Sequence, residues 1–483
     1  MPQSRRRIWE AARYRGNRAA SGFANCPVTI IPMAYWYRRV FLLAIPLILS
    51  NLTQPLLSTV DTVLSGHLPG PAALGGVAIG GIFFNSVFWT FGFLRLSTTG
   101  LVAQAYGAQD HQELRLHFAR ALLTAVAIGA LLLAVKGPLV SLSIGLLGAG
   151  PEVAQNAAVY CNIRIWSAPA ALANYVILGS LLGRQRARTA LVIQAAINVV
   201  NVVLALHLVL HLHWGVAGIA TATMTADYAG LLFGLAITVQ SKAFSAVHSS
   251  GEARGRIRLH ELMHGPSLRH LFALSRDLLI RTLSLVAAYA WFTRSGAREG
   301  DVTLAANAVL LNLHMIASYA LDGFANATEA LVGAAIGARR LADYRAVLRA
   351  STVAAGVVAV LMSLTYLVFG GEFVRLFTNL EPVRLLAMRY LPWAIAMPSI
   401  AVWGFQLDGI FIGATRARDL RDSMLISFLA FLALAIALEH WFGNSGLWCA
   451  FVCFMVMRGT TLGLRLPGIE KSFATAAPDP VVA

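Results

Sequence analysis

The chain has 483 residues, of which 58% are hydrophobic and only 12% are charged. Ordinary soluble domains contain about 25% charged residues, so this composition excludes a soluble globular protein and points to a lipid environment. The net charge of +16 does not indicate nucleic-acid binding, because the basic residues lie in short clusters between long apolar runs, as in the cytoplasmic loops of membrane proteins.

A membrane-spanning helix needs about 20 predominantly apolar residues. Twelve runs in the chain meet this length, so we predict an all-α polytopic membrane protein with twelve transmembrane helices. In chain order the runs lie near residues 40–65, 73–98, 118–146, 156–182, 189–211, 215–239, 270–293, 303–336, 350–370, 384–413, 421–440 and 445–466.

Lysine and arginine residues are distributed unequally between the two sides of this topology. The loops and termini on one side hold 28 of the 38, and the loops on the other side hold four. Because cytoplasmic segments carry the excess of basic residues, both termini are expected in the cytoplasm of a multi-pass inner-membrane protein.

The apolar runs and basic segments divide the chain into five parts. Met33 is an alternative start of the protein. We predict a basic cytoplasmic N-terminal segment (1–38) and an N-lobe of helices 1–6 (39–240). A cytoplasmic linker (241–268) leads to a C-lobe of helices 7–12 (269–466) and a cytoplasmic tail (467–483).

The two halves are similar in sequence when one is shifted by 230 residues. The stretch GLVAQAYGAQDHQELR (100–115) then aligns with ALVGAAIGARRLADYR (330–345), and Gly183 aligns with Gly413. Such a repeat predicts two pseudo-symmetric six-helix lobes related by an axis along the membrane normal. A cavity between two lobes is the geometry of alternating access, so the repeat favours a transporter.

Polar residues within the predicted helices of the N-lobe are candidates for binding a coupling ion: Asp61, Asn198, Asn201, Thr223 and Asp227. Polar groups in a membrane are costly and usually face the protein interior. Asp61 could exchange a proton or bind a cation, or it could be a helix-end acid in contact with water. The two asparagines could bind an ion or form interhelical hydrogen bonds. Asp227 could instead pair with Arg95 or Arg164.

The C-lobe carries its own polar residues, which we predict to bind a cationic substrate: Asp322, Asn326, Glu329 and Asp408. Asp322 and Glu329 are two helical turns apart and therefore point the same way. Two acids on one face of an apolar helix should not face lipid. The alternative is a structural pairing of these acids with Arg276 or Arg281.

Motifs for other chemistry are missing from the sequence. There is no P-loop, no GxSxG, no HExxH and no cysteine set with metal-ligand spacing. His207 and His211 have a spacing that can bind zinc, but no carboxylate or cysteine accompanies them. We therefore predict no enzyme, no cofactor and no metal site, and expect transport to be driven by an ion gradient.

Several stretches resemble the multidrug and toxic compound extrusion (MATE) family, and its DinF-type branch in particular. They are IPLILSNLTQPLLSTVDTVLSGHL (45–68), FGFLRLSTTGLVAQAYGA (91–108), IRIWSAPAALANYVILGSLLGRQRAR (163–188), YALDGFANATEALVGAAIGA (319–338) and LDGIFIGATRARDLRDS (407–423). The resemblance extends from about residue 36 to 465. It implies two six-helix lobes around a central cleft and export of organic, often cationic, compounds against H⁺ or Na⁺.

The resemblance also implies roles for individual residues. Pro46 matches the first-helix proline linked to bending, and Asp61 matches the acid that carries the coupling ion. Asn201 and Thr223 match positions that line the same pocket. One departure is that Ala205 stands where the family has an acid, four residues after Asn201. Because Na⁺ favours negative oxygen ligands, the loss of one carboxylate favours proton coupling, and Asp227 could partly replace the lost charge.

These observations together predict an ion-coupled antiporter, a monomer that exports small organic cations by alternating access with H⁺ favoured over Na⁺. A lipid-linked precursor flippase of the same superfamily is one alternative, with Arg95 and Arg164 as candidate pyrophosphate ligands. A degenerate transporter with a binding or regulatory role is another.

Overall fold

A computed structural model of the chain describes residues 32–146, 150–241 and 259–475, and these are almost entirely helical. Twelve long helices, α1 to α12, account for most of them. Their bounds are Met33–Gly66, Pro71–Gly107, His111–Ala134, Pro151–Gly183, Ala187–His211, Gly215–Gln240, Gly265–Arg298, Asp301–Gly337, Leu341–Phe377, Glu381–Gly413, Ala417–Phe442 and Asn444–Phe473.

Eleven of these twelve long helices are apolar enough to cross a membrane. The other is α7, which is as long as α1 but carries Arg276, Asp277 and Arg281 in its first half. Asp277 is buried against Arg421 at 2.9 Å, and Arg281 is paired with Asp408. Asp277 and Arg281 are thus paired inside the protein, whereas Arg276 is exposed, and α7 takes its place in the predicted twelve-helix architecture.

The bounds of several helices differ from the sequence prediction. Helix α1 begins at Met33 and α7 at Gly265, both earlier than the predicted lobe limits. Helix α3 begins at His111 and ends at Ala134, and a separate helix, Lys136–Leu146, follows it. Most of the predicted N-terminal segment and linker lies outside the described residues, at 1–31 and 242–258, and so do residues 476–483 of the predicted tail. The rest of the tail, Pro467–Thr475, is helical.

Backbone geometry repeats with the 230-residue shift that aligns the two halves in sequence. Five non-glycine residues in the described chain have positive φ, and four of these form two pairs at that spacing. The pairs are Gln109 (φ 58°) with Arg339 (φ 52°), and Gln185 (φ 60°) with Thr415 (φ 54°). Equivalent turns therefore end equivalent helices, which supports two pseudo-symmetric lobes, α1–α6 and α7–α12.

The lobes meet through α8, which packs against α1 and α2. A side chain at Gly107 would overlap the carbonyl of Ala334, and one at Gly337 would overlap the carbonyl of Gln104, so the two helix ends approach backbone to backbone. The two contacts are equivalent, because the 230-residue shift converts Gly107 into Gly337 and Gln104 into Ala334. The lobes are thus joined at the end of the bundle that carries the α2–α3 and α8–α9 turns.

Candidate functional site

Asp61 lies inside the N-lobe with only 8% of its surface exposed, and its Oδ1 has no hydrogen-bond partner among the described residues. Arg164 on α4 interacts electrostatically with both Asp61 and Asp227. The position is therefore not a helix-end acid open to water. It is a buried carboxylate with spare capacity for a proton or a cation.

Arg164 lies against two aromatic rings and forms no salt bridge of 4.0 Å or less with a described residue. Its guanidinium donates a hydrogen bond to the Tyr160 hydroxyl and lies 4.9 Å from the ring centroid of Phe84. Its Nε is buried without a partner. The one cation thus faces two carboxylates, Asp61 and Asp227, and is fully paired with neither.

The two asparagines of α5 have different partners. Asn201 is completely buried, and its Nδ2 donates a 2.9 Å hydrogen bond to Thr223 Oγ1 on α6, while its Oδ1 is without a partner in the described chain. Asn198 Nδ2 reaches the backbone oxygen of Thr53 on α1 at 3.5 Å. Asn201 and Thr223 therefore form a buried polar pair, and Asn198 connects α5 to the helix that carries Asp61.

Asp227 is partly buried, and its backbone oxygen accepts a 2.9 Å hydrogen bond from Asn174 Nδ2. Of the two arginines that sequence suggested as its partner, Arg164 faces it, whereas Arg95 is engaged on the other lobe. Ala205, which occupies the place of the missing acid, is fully buried.

The acids of α8 are also inside the protein. Glu329 is 1% exposed with Oε1 unpartnered, Asn326 is 6% exposed, and Asp322 is partly buried. Arg95 of α2 donates a 3.1 Å hydrogen bond to Asn326 Oδ1 and interacts electrostatically with both acids. The prediction that these acids avoid lipid is consistent with this burial, and the cation that affects both acids most, Arg95, comes from the opposite lobe.

Asp408 has a different environment from the two α8 acids. It pairs with Arg281 of α7 and, at 2.8 Å, with Arg458 of α12. This is the structural pairing considered from the sequence, with Arg281 as the partner. Arg458 lies within the predicted run 445–466 and is 2% exposed in α12.

The charges around α8 are balanced overall. Three acids, Asp322, Glu329 and Asp408, are accompanied by three arginines, Arg95, Arg281 and Arg458. The cluster as a whole therefore has no excess of negative charge, contrary to the expectation from the acids alone. Within it, Asp322 and Glu329 have no salt bridge of 4.0 Å or less to any described residue, which leaves them as its candidate cation ligands.

Comparison with known proteins places these features in a family. The MatE family model matches residues 46–206 and 280–441, once in each half of the chain. The chain belongs to the MATE family. DNA damage-inducible protein F of Escherichia coli K12 is 41% identical over 443 residues, covering 91% of this chain and 95% of that protein. Family members are transporters, so this MATE protein is a transporter and not an enzyme.

More distant relatives support the same conclusion. A probable multidrug resistance protein NorM of Agrobacterium fabrum is 26% identical, covering 90% of this chain and 94% of that protein. A solved outward-facing multidrug resistance MATE transporter matches with a TM-score of 0.78 at 18% identity, over 92% of this chain and all of that one. A MATE structure in a bent conformation gives 0.79 at 19% identity, with the same coverage of both chains. This transporter therefore has the MATE fold and is a multi-pass membrane protein.

One buried polar group of this MATE transporter was missed from the sequence. His314 of α8 is 1% exposed, and its Nε2 lies 2.9 Å from the Tyr289 hydroxyl on α7. It belongs to a polar stripe on one face of α8, at helical spacings of three and four: His314, Ser318, Asp322, Asn326 and Glu329. That spacing was visible in the sequence and is the signal that would have identified the histidine.

Proposed function

We propose that this MATE transporter is an antiporter that exports small organic cations in exchange for H⁺, with Asp61 as the residue that binds the proton. The observation that carries the proposal is the burial of Asp61 with one carboxylate oxygen unpartnered among the described residues. A buried charge without full compensation is costly, and binding a proton removes that cost.

The choice of H⁺ over Na⁺ rests on the ligands around Asp61. Sodium is a hard cation that needs several oxygen ligands, preferably charged. Asn201 Oδ1 is free to accept, but Ala205 offers no oxygen, and Asp227 faces Arg164. A proton requires only one acceptor atom, so the N-lobe site fits H⁺ better. The polar environment in which the charge of Asp61 changes is then provided by Asn198, Asn201, Thr223 and Asp227.

Helix α1 couples the proton to movement in this proposal. Pro46 is buried within α1 and removes one backbone hydrogen bond, which weakens the helix at that point. Asp61 lies on the same helix, and Asn51 Nδ2 of α1 contacts the backbone oxygen of Tyr319 on α8 at 3.3 Å. Neutralisation of Asp61 allows α1 to bend at Pro46, which changes the N-lobe cavity and releases substrate outward.

The proposed cation site is the polar stripe of α8, with Asp322 and Glu329 as charged ligands and Asn326 between them. Both acids lack a salt bridge within the described chain, and both lie on the helix that contacts the opposite lobe. Asp408 has two arginine partners, so in this state it supports the site instead of binding cargo.

The orientation follows the basic residues, which places both termini in the cytoplasm and the joined ends of the lobes on the cytoplasmic side. We propose an inner-membrane monomer. The flippase alternative is less well supported, because Arg95 contacts Asn326 and Arg164 contacts Tyr160, so neither is free to bind pyrophosphate.

Uptake of a fluorescent organic cation into inverted vesicles tests the proposed function. Inverted vesicles expose the cytoplasmic face, so export becomes accumulation in the lumen. We expect accumulation when the lumen is acidic and no effect of a Na⁺ gradient imposed alone. Accumulation driven only by Na⁺ would reject proton coupling, and no accumulation of any tested cation under either gradient would reject cation export.

A further inference from the structure

A strongly basic pocket lies at one end of the N-lobe, away from the buried acids. Its volume is about 520 Å³, and it is lined by the start of α1, the α4–α5 turn and the start of α5. Four arginines line it: Arg38, Arg39, Arg186 and Arg188. Arg39 donates hydrogen bonds to the Tyr35 hydroxyl and to Gln185 Oε1, which fixes its guanidinium at the pocket.

The pocket contains no acid of its own. No aspartate or glutamate lines it, and none of the four arginines forms a salt bridge of 4.0 Å or less with a described residue. Four like charges in one concavity repel each other unless an anion is bound. The remaining lining residues include Leu42 and Leu43, which extend the pocket along α1 as an apolar wall.

The C-lobe shows how the equivalent region is neutralised. At the 230-residue shift, Arg186 corresponds to Arg416, which pairs with Asp419 at 2.6 Å. In the same region Arg421 pairs with Asp277 at 2.9 Å and with Asp422 at 2.7 Å.

The N-lobe positions equivalent to these three acids are not acidic. Asp277, Asp419 and Asp422 correspond to Leu47, Thr189 and Val192. Arg421 itself corresponds to Leu191, whereas Arg416 corresponds to Arg186, so Arg186 is the arginine that the N-lobe has kept without the carboxylate that balances its C-lobe equivalent. The counter-charge has to come from outside the described chain.

The position of the pocket along the membrane normal indicates where the counter-charge comes from. Arg38 is about 17 Å from the midpoint of α1, and Arg188 is about 16 Å from the midpoint of α5, at 1.5 Å per residue. The hydrocarbon core extends about 15 Å on each side of the bilayer centre. With the helices centred in the membrane, the arginines lie at headgroup level and Leu42 and Leu43 lie beside the acyl chains.

We infer that this pocket binds the phosphate group of an anionic phospholipid. Guanidinium groups bind phosphate oxygens in pairs, and basic pockets between transmembrane helices on the cytoplasmic side bind anionic headgroups. The bound phosphate would connect the first turns of α1 to the α4–α5 turn, adding to the bond between Arg39 and Gln185. The site is independent of the substrate and of the coupling ion.

Native mass spectrometry of the full-length, detergent-solubilised protein tests this inference, with phosphatidylglycerol added in increasing amounts. Arg38→Gln combined with Arg188→Gln removes two charges from the pocket. Each arginine near a membrane surface contributes about 1 kcal/mol, so the first phosphatidylglycerol should bind about 30-fold more weakly. The matched control is Arg269→Gln with Arg418→Gln, which removes two exposed charges from the corresponding turns of the C-lobe and should leave that affinity unchanged.

Two further arms identify the source of the phosphate. Phosphatidylcholine should bind equally to the wild type and to both double variants, and excess inorganic phosphate should not displace phosphatidylglycerol. An equal loss of phosphatidylglycerol affinity in the two double variants would overturn the inference, and so would displacement of phosphatidylglycerol by inorganic phosphate. If the N-lobe double variant does not fold, Arg186→Gln alone is compared with the wild type, and unchanged phosphatidylglycerol affinity would then reject the site.

Discussion

Arg95 of the N-lobe donates a 3.1 Å hydrogen bond to Asn326 Oδ1 of the C-lobe, between the two unpaired acids of α8. The contact places a cation of one lobe on the candidate substrate stripe of the other. A substrate cation that bound Asp322 or Glu329 would compete with Arg95 for the same charges. Cargo binding and separation of the lobes are therefore linked through one guanidinium.

The first prediction concerns this link. Arg95→Gln should favour separation of the lobes at their joined end, because a hydrogen bond from a charged group contributes about 1.5–3 kcal/mol, or at least tenfold in population. Double electron–electron resonance between spin labels at positions 112 and 342, which are exposed on equivalent helix starts, measures the separation. An unchanged distance distribution in the variant would show that the bond does not hold the lobes together.

The second prediction concerns the close approach of Gly107 and Gly337. Gly337→Ala should reduce transport about tenfold, because its methyl group would overlap the carbonyl oxygen of Gln104 and prevent closure at this end. Gly81→Ala is the control, since a Cβ at Gly81 meets no atom within 4 Å. Equal transport rates in reconstituted vesicles for the two variants would contradict the proposed contact.

The third prediction separates the roles of Asp408 and Asp322. Asp408→Asn should destabilise the protein by about 3–5 kcal/mol, because it leaves Arg458 buried and unpaired. Asp322→Asn should instead weaken binding of organic cations with little change in thermal stability. Glu372→Gln, which removes an exposed pair with Arg375, is the stability control and should cost at most about 1 kcal/mol.

Thermal unfolding in detergent and cation-binding titrations measure these two effects. If Asp408→Asn were as stable as the wild type but failed to bind cations, Asp408 would be a substrate ligand, as first predicted from the sequence. If Asp322→Asn bound cations normally, the α8 stripe would not be the substrate site.

The fourth prediction concerns Asp227. Because it shares Arg164 with Asp61, Asp227→Asn leaves that arginine facing Asp61 alone, which should stabilise the ionised form of Asp61. Proton-driven efflux should then be reduced but not abolished, and should require a more acidic outer side. Initial rates of cation uptake at several imposed pH gradients measure the change. Wild-type rates across that range would exclude any part for Asp227 in coupling.

Sequence alone predicted the helices and the repeat, because both depend on local patterns. Apolar runs of about 20 residues give the spans, and aligned positions such as Gly183 and Gly413 give the symmetry. The 230-residue register also applies to the backbone, at Gln109 and Arg339, although nothing in these two side chains indicates a positive φ. The family comparison agrees, since one family model matches both halves.

Partner assignments were less predictable, because they depend on packing between helices distant in sequence. Arg458 is 50 residues from Asp408, and the predicted run 445–466 contains Arg458 without showing that it pairs with Asp408. Arg95 was considered as a partner of Asp227 within its own lobe, whereas it contacts Asn326 in the other. Charge counting alone therefore overestimated the negative charge available to a cationic substrate.

Proton coupling through Asp61 is the central claim, and one measurement tests it most directly. Cation accumulation driven by an acidic lumen is compared in inverted vesicles that contain either the wild type or Asp61→Asn, with Glu152→Gln, an exposed acid at the start of α4, as the control. We predict that Asp61→Asn abolishes accumulation while the control retains it, and that both variants still bind the cation. Full pH-driven accumulation by Asp61→Asn would contradict the account.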